Sequence, residues 1–354
     1  MIIRKVMKVL GILILALLLI VAVSLAVFTF SEYRPAEKEI ISENAAAEPV
    51  FAKDTPLKIL SWNCGYGALG DNADFFMDGG KSVYTADRER VSVNLNGIRD
   101  KIAAVEPDLM ILQEVDINSS RSYNTDERNV LKSALPAYSE AFAYNFNALY
   151  IPYPLPPIGH VESGLYTLSR APASLAERIS LPVSFSWPIR LFNLKRCLLV
   201  SRFPVKGSDK ELVLVNLHLE AYDSGEGKEK QTRQLISFMQ DEYAKGNYVI
   251  AGGDFNQRFS NIDQSAYPVF KNTWHPGIVD AESFKDFSLL MDNRVPTCRS
   301  LDRAYAGADK SSFQFYLIDG FIISSNIRSE SVETLDEGFV FSDHNPVCMT
   351  FVLQ

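Results

Sequence analysis

The sequence predicts an α+β fold in which two packed sheets are flanked by helices, preceded by one transmembrane helix. Three observations support this prediction. An uncharged apolar segment lies near the amino terminus, a strand, helix and strand pattern occurs twice, and further apolar runs between turn residues lack helical periodicity. With 354 residues and 47% hydrophobic content, the chain can bury a large core. Mixed helices and hairpin-linked strands of this kind are typical of sheet sandwiches covered by helices.

The first element is the segment 9–30, which contains no charged residue. A helix of this length spans about 33 Å, enough to cross the hydrocarbon core of a bilayer. Three basic residues precede it: Arg4, Lys5 and Lys8. By the positive-inside rule, the short segment 1–8 is then cytoplasmic and the rest of the chain is extracytoplasmic. A cleaved signal peptide is the alternative, but the sequence at 27–30 is a poor cleavage site. We therefore expect a single-pass protein of the cell membrane.

The segment 31–54 follows the apolar segment. It is rich in Ala and Glu with scattered Pro and is predicted to be a linker. The folded, catalytic domain is expected to occupy 55–354. The chain has four cysteines, whose spacing matches no zinc pattern and does not select a disulfide pair.

Within the domain, the apolar run 57–62 predicts a buried first strand. Helical spacing of apolar residues predicts a helix over 88–105, which ends before Pro107, and a strand follows at 109–112. A second helix at 229–244 leads into a strand at 248–251. Five further runs predict strands: 164–169, 196–201, 212–217, 313–324 and 347–353. The segments 65–80 and 144–159 show no core pattern and are predicted to be long functional loops.

Polar side chains stand where five of the apolar runs end or shortly after. Strand ends are a common place for chemistry on an α/β scaffold, so five such ends indicate one shared site. The carboxylates and amides at or near strand ends are Glu114, Asp254, Asp319, Asp343, Asn63, Asn216 and Asn256. Hard oxygen donors of this kind suit Mg²⁺, with Mn²⁺ as the alternative, rather than zinc. Two of the four histidines, His218 and His344, accompany them, and the set predicts a metal-assisted hydrolytic site.

Seven short segments carry these residues in a recognisable order. They are Ser-Trp-Asn at 61–63, Gln-Glu at 113–114, Ser-Gly-Leu-Tyr-Thr-Leu-Ser-Arg at 163–170, Asn-Leu-His at 216–218, Gly-Asp-Phe-Asn at 253–256, Ile-Asp-Gly-Phe at 318–321 and Ser-Asp-His at 342–344. In this order they resemble the motifs of the endonuclease/exonuclease/phosphatase superfamily, which includes deoxyribonucleases, sphingomyelinases and inositol-polyphosphate phosphatases. The resemblance runs from about residue 57 to the C terminus, and it implies a four-layer α/β/β/α sandwich with the site at one edge of the sheets.

The resemblance also implies roles for single residues. Glu114 would be the principal ligand of Mg²⁺, with Asn63 and Asp343 completing or supporting the coordination. Asp254 would orient or deprotonate the attacking water, and Asn256 would hold a phosphate oxygen.

The two histidines would act on the phosphate. Asp319 would accept a hydrogen bond from His344 and fix its ring, while His218 would contact the phosphate or protonate the leaving group. Three further residues are candidates for substrate contact: Asn216, Arg121 and Arg196.

Together these residues predict a divalent-metal-dependent hydrolase of phosphoester bonds that acts by in-line attack of activated water outside the cytoplasm. The expected substrate is a lipid headgroup or a small phosphoester. The net charge of −8 argues against a general nucleic-acid surface, so an extracellular nuclease is the alternative and is not favoured. The inositol branch usually has Cys-Asp-Arg where this chain has Leu-Ile-Asp-Gly at 317–320. A catalytically inactive, membrane-tethered binding module is a further alternative, and no protein partner is predicted.

Overall fold

The computed structural model describes residues 2–223 and 225–354. The helices of these ranges are α1 (Ile2–Phe30), α2 (Arg88–Val105), α3 (Glu127–Lys132) and α4 (Glu226–Ala244). None of the residues of α1 is buried, and the helix is long and apolar enough to span a membrane. The predicted helix at 88–105 is confirmed. Asp87 caps its first turn by accepting a hydrogen bond from the backbone N–H of Arg90, and Glu106 ends it in a left-handed conformation before Pro107.

The strands follow one another along the whole domain. They are β1 (Lys38–Glu43), β2 (Phe51–Ala52), β3 (Leu57–Asn63), β4 (Leu109–Asp116), β5 (Ser139–Ile151), β6 (Gly159–Ser169), β7 (Leu175–Ser180), β8 (Cys197–Lys206), β9 (Glu211–His218), β10 (Tyr248–Asp254), β11 (Gln257–Phe259), β12 (Gly277–Val279), β13 (Phe287–Leu290), β14 (Cys298–Arg299), β15 (Phe315–Tyr316), β16 (Asp319–Ser324), β17 (Ile327–Thr334) and β18 (Val347–Leu353).

Two large mixed sheets contain most of these strands. The first has the order β1-β7-β8-β9-β10-β16-β13, with β2 paired to β8, and its β9 and β10 are parallel. The second has the order β17-β18-β3-β4-β6-β5, with β3 and β4 parallel. Two small ribbons, β11-β12 and β14-β15, lie outside them. The connection from β9 to β10 runs through α4 and that from β3 to β4 through α2, as is usual between neighbouring parallel strands.

The core has three apolar layers. The layer between the sheets joins residues of both, such as Ile111 of β4 and Leu214 of β9. Leu235 of α4 packs on the outer face of the first sheet, and Ile98 of α2 packs on the outer face of the second. The arrangement is therefore a four-layer α/β/β/α sandwich, and the predicted fold class is confirmed.

Two expectations differ from the structure. The segment 31–54, expected to be a linker, contributes β1 and β2 to the first sheet. The segment 144–159, expected to be a loop, is mostly a hairpin, because β5 continues to Ile151 and β6 begins at Gly159. In both cases the inward-facing residues are few, small or polar, as with Ala143 and Asn145 of β5, so the strands lack a strong apolar signal.

All four cysteines carry free thiols. Cys64, Cys197 and Cys298 are buried, and Cys348 is partly exposed. They serve as small core residues, so the fold does not depend on a disulfide.

Candidate active site

Three neighbouring strands of the first sheet bring charged residues to the same face. Asp254 of β10 is in register with His218 of β9 on one side and with Asp319 of β16 on the other. Directly paired residues project from the same face of a sheet, so these three side chains point in the same direction. The parallel pairing of β9 and β10 thus explains why the Asn-Leu-His and Gly-Asp-Phe-Asn segments lie side by side.

The second sheet contributes Asn63 and Glu114 from the same ends of β3 and β4. The pairing of β4 with β6 is interrupted between Leu112 and Val115, and Glu114 adopts a φ of 53° within this bulge. A bulge inserts an extra residue and turns its side chain out of the regular alternation. Glu114 therefore leaves the sheet and reaches the cavity, where about a quarter of its side chain is exposed.

Asp254 is the centre of the cluster. Its Oδ2 accepts a hydrogen bond from Asn63 Nδ2 at 3.1 Å and lies 3.4 Å from His218 Nε2 and 3.8 Å from His344 Nε2. Its Oδ1 accepts the backbone N–H of Asn256 at 2.9 Å. One buried carboxylate is thus surrounded by residues from both sheets.

Glu114 lies at the edge of this cluster. Its Oε1 is 3.4 Å from Asn63 Nδ2 and 3.9 Å from His218 Nδ1. Asn63 turns its amide nitrogen to the carboxylates, while its Oδ1 accepts the N–H of Gly65 at 3.0 Å.

His344 is fixed at both its ring and its backbone. Nδ1 donates to Asp319 Oδ2 at 2.9 Å, which leaves Nε2 facing Asp254. The carbonyl of His344 accepts a hydrogen bond from Trp62 Nε1 at 2.8 Å, and Ser342 Oγ donates to the carbonyl of Asn63 at 2.7 Å. The loop that carries Asp343 and His344 is therefore held to the end of β3.

Burial and mutual repulsion perturb the carboxylates. Burial, together with the charge of Asp319, raises the pKa of Asp254 to about 7. Burial also raises the pKa of Asp343 to about 6; the positive charge of His344 opposes this rise, and Glu114 adds a smaller increase. A bound cation would lower both pKa values, because it would stabilise the charged form of each buried carboxylate.

The two imidazoles are shifted in opposite directions. Burial alone would lower the pKa of His344, but the adjacent Asp319 raises it well above its ordinary value. Burial and the positive charges of Arg196 and His344 lower the pKa of His218. At neutral pH the site therefore combines one imidazolium with one neutral imidazole, which are an acid and a base in the same cluster.

The donor groups fit a hard divalent cation. Among the described residues, two sets of three side chains have potential ligand atoms within 4.8 Å of one another: Cys298, Asp343 and His344, and Asp254, Asp319 and His344. Burial raises the pKa of the Cys298 thiol to about 12, which disfavours its thiolate form. The remaining donors are mainly carboxylates, and Glu114 adds one more at the cavity surface, a set typical of Mg²⁺ or Mn²⁺.

The three candidate substrate-binding residues differ in their placement. Asn216 is completely buried. Its Nδ2 donates to the carbonyls of Leu112 and Tyr166 at 3.1 and 3.2 Å, and its Oδ1 accepts from Gln113 Nε2 at 2.8 Å. It lies behind the cavity and joins the two sheets rather than facing a ligand.

Arg121 and Arg196 do line the cavity. Arg121 forms a two-pronged ion pair with Asp116 at 2.9 and 3.0 Å and stacks over the ring of Tyr66 at 3.6 Å. Arg196 donates to the carbonyl of His218 at 3.0 Å and lies 3.4 Å from Glu220. Both guanidinium groups are thus held at the cavity wall by acidic partners.

The cavity above the cluster has a volume of about 1200 Å³. Its lining includes polar side chains, among them Asp254 and His344, and many aromatic and aliphatic side chains. Two wall residues that sequence reasoning missed are Asp78 and Tyr222, which are joined by a hydrogen bond of 3.0 Å. Asp78 lies in the segment 65–80, which was predicted to be a functional loop because it lacks a core pattern; nothing further in the sequence indicated this residue.

Comparison with known proteins agrees with this architecture. The model of the endonuclease/exonuclease/phosphatase family matches residues 60–344. The comparison with curated proteins gives no match.

Several solved structures have the same fold. An endonuclease/exonuclease/phosphatase from Beutenbergia cavernae is 18% identical, with a TM-score of 0.54 over 84% of this chain and 72% of that one. One from Bacteroides vulgatus is 14% identical, with a TM-score of 0.54 over 85% of this chain and all of that one. D. rerio TDP2, solved with a single-strand DNA product, is 18% identical, with a TM-score of 0.51 over 84% of this chain and 99% of that one. At these identities the likeness concerns the fold.

Proposed function

Because this chain belongs to the endonuclease/exonuclease/phosphatase family, we propose that it is a divalent-metal-dependent hydrolase of phosphoester bonds that acts outside the cytoplasm. The observation that supports this most is the cluster around Asp254. A buried carboxylate, two histidines with opposite pKa shifts and a cavity-facing glutamate meet in the lining of one cavity. These groups match the needs of in-line attack by water on phosphorus.

Glu114, Asn63 and Asp343 would hold a Mg²⁺ or Mn²⁺ ion. When bound, such an ion neutralises negative charge on the phosphoryl oxygens and polarises the phosphorus. For Asn63 to offer its amide oxygen, its side chain would have to rotate, because that oxygen now accepts from Gly65.

Asp254 would orient the attacking water and accept its proton. Its Oδ1 is held by the backbone of Asn256, while Oδ2 faces both histidines. Asn256 uses one amide hydrogen on the carbonyl of Leu219 at 3.0 Å. Its second amide hydrogen is the donor for a phosphate oxygen.

His344 would stabilise the developing charge and donate a proton to the leaving oxygen. Its hydrogen bond to Asp319 keeps the ring protonated and directs Nε2 toward the cluster. Burial and the charge of Arg196 keep His218 neutral. It would therefore contact the phosphate, while proton donation to the leaving oxygen would remain with His344.

The amino terminus supports the proposed location outside the cytoplasm. α1 would cross the membrane as an anchor, with the basic residues of segment 1–8 in the cytoplasm. The site residues all follow α1 in the chain and would lie on the other side.

The test uses the full chain in detergent with bis(p-nitrophenyl) phosphate and p-nitrophenyl phosphate in the presence of Mg²⁺. We expect hydrolysis that a chelator abolishes and Mg²⁺ restores, and a fall in kcat of about a hundredfold or more in Asp254→Asn. The matched control is Asp292→Asn, which removes an equally buried carboxylate paired with Arg294 away from the cavity. Turnover by Asp254→Asn equal to that of the control would refute the proposal. It would favour the inactive binding module.

A further inference from the structure

The carboxyl end of α1 is docked against one wall of the cavity. We call the segment 183–196 the anchor-contact loop. The ring of Phe192 in this loop packs edge-on against Phe28 of α1, with centroids 5.1 Å apart, and Trp187 Nε1 donates to Thr29 Oγ1 at 3.1 Å. α1 ends at Phe30, so the loop contacts its last turn.

Charged residues strengthen this contact. The side chain of Glu32 is 3% exposed and lies 3.3 Å from Lys195 Nζ and 3.2 Å from Arg190 Nε, both in the anchor-contact loop. Separating the helix end from the loop would break these two ion pairs and leave Glu32 with Arg34 alone, whose Nε lies 3.0 Å away. The helix end is therefore docked on the loop by both apolar and charged contacts.

The same loop forms the apolar side of the cavity. Phe185, Ile189 and Phe192 line it, and Ile151 and Ile158 pack with Phe192 in the same wall. Phe28 lies two residues, or about 3 Å along the helix axis, before the end of α1, so its contact with Phe192 places this wall next to the helix end. If α1 spans a bilayer, this wall lies at the level of the lipid headgroups.

Large apolar side chains are exposed around this wall. Leu155 is 89% exposed, Tyr153 72%, Ile189 57% and Trp187 50%. Tyr153 and Ile189 also line the cavity. Exposed aromatic and aliphatic groups next to a membrane-spanning helix are typical of a surface that rests in the bilayer interface.

The charges that line the cavity do not favour the other possible substrate, a nucleic acid. Among the arginine and lysine side chains of the described residues, those that line the cavity are Arg121, Arg196 and Arg299. The first two have acidic partners, and Arg299 donates to the carbonyls of Gly70 and Ser300 at 2.7 and 2.9 Å. Such a cavity lacks the free positive charge that tracks a nucleic-acid backbone.

We propose that the cavity opens onto the membrane surface and that its substrate is a phospholipid of the same membrane. This inference rests on the proposed phosphoester hydrolysis. The lipid phosphate would reach the Asp254 end while the first part of its apolar tail lies against the wall formed by the anchor-contact loop. The oxygen of water bonds to phosphorus, the bond from phosphorus to the leaving oxygen breaks, Asp254 takes the proton of the water, and His344 gives a proton to the leaving oxygen. The lipid need not leave the bilayer, so the apolar methylenes of its tails stay covered.

The experiment compares two substrates for each variant of the full chain, reconstituted in phosphatidylcholine vesicles. One substrate is soluble bis(p-nitrophenyl) phosphate. The other is a panel of vesicle phospholipids with glycerol, ethanolamine, choline and inositol headgroups, with product release measured by phosphorus NMR. We expect wild type to hydrolyse at least one lipid, and we expect Ile189→Glu and Leu155→Glu to reduce the ratio of lipid to soluble turnover at least tenfold. The matched control is Ile278→Glu, since Ile278 is 59% exposed and lies outside the cavity lining.

The outcomes separate the two proposals. If wild type hydrolyses neither substrate, the proposed function fails. If it hydrolyses the soluble diester but no lipid of the panel, or cleaves added single-stranded DNA instead, the phospholipid inference is wrong. Equal ratios in Ile189→Glu, Leu155→Glu and Ile278→Glu would also overturn it. Leu155 is almost fully exposed, so its variant remains informative even if Ile189→Glu does not fold.

Discussion

Replacing Asp319 by Asn tests whether His344 depends on its buried partner. The change keeps the shape of the side chain but removes the charge that accepts the hydrogen bond from Nδ1 at 2.9 Å. Asp319 is 1% exposed and His344 5%, so water does not substitute for the lost interaction. A hydrogen bond to a charged group contributes about 1.5–3 kcal/mol. At about 1.36 kcal/mol per factor of ten, this corresponds to a fall in kcat of roughly 10- to 150-fold.

The assay measures kcat and KM for bis(p-nitrophenyl) phosphate with Mg²⁺, together with the thermal unfolding temperature. We expect kcat to fall while KM changes by less than about threefold, because Asp319 acts through His344 and does not touch the substrate. Asp292→Asn is again the control, since it removes a buried charge that accepts from Arg294 and from the backbone of Thr334. A kcat for Asp319→Asn within twofold of wild type, or an equal loss in the control, would refute the reasoning.

Three further predictions concern stability and metal binding. Burial alone would raise the pKa of Glu242, but hydrogen bonds led by Arg202 lower it to about 2, so its contribution is present above the ordinary value near 4.5 and is lost as pH falls toward 2. Urea unfolding should therefore show Glu242→Gln to be roughly 2–3 kcal/mol less stable at pH 7, with no difference near pH 2. Gly97→Ala places a methyl group into the ring of Phe341, and calorimetry should show a loss of about 1–3 kcal/mol together with lower activity, whereas an unchanged unfolding temperature would contradict it. Glu114→Gln should weaken Mg²⁺ binding at least about tenfold in isothermal titration, and unchanged affinity would remove Glu114 from the metal site.

Much of the fold could be predicted because its central elements carry strong local patterns. The strand at 347–353 and the helix at 88–105 match the structure residue for residue, since each has a continuous or periodic apolar pattern with clear ends. β1 and β17 could not be predicted in this way. Both lie at sheet edges with mostly exposed residues, and their place depends on pairing with partners far along the chain.

The site residues could be named from the sequence, but their arrangement could not. The register of Asp254 with His218 and Asp319 depends on strand pairing over separations of 36 and 65 residues. The bulge at Glu114 has no glycine or other local signal, and it arises from the pairing of β4 with β6. The Asn-Leu-His segment made Asn216 a candidate for substrate contact, but the segment alone could not reveal that this side chain faces the interior.

The hydrogen bonds of Asn216 carry a wider consequence. His218 and Asp254 belong to one sheet and Glu114 to the other, so the distances between them are set by how the sheets are stacked. Asn216 of the first sheet is joined by hydrogen bonds to Gln113 and to the carbonyl of Leu112, both in the second sheet, so these buried polar groups link the two sheets at this point. A slip of a fraction of an ångström between the sheets would hardly change a circular dichroism spectrum, yet it would alter every separation on which turnover depends. If the chain is the proposed hydrolase, its rate is therefore more sensitive to interior order than its spectrum is, and the rate should decline under pressure or mild denaturant before unfolding becomes visible.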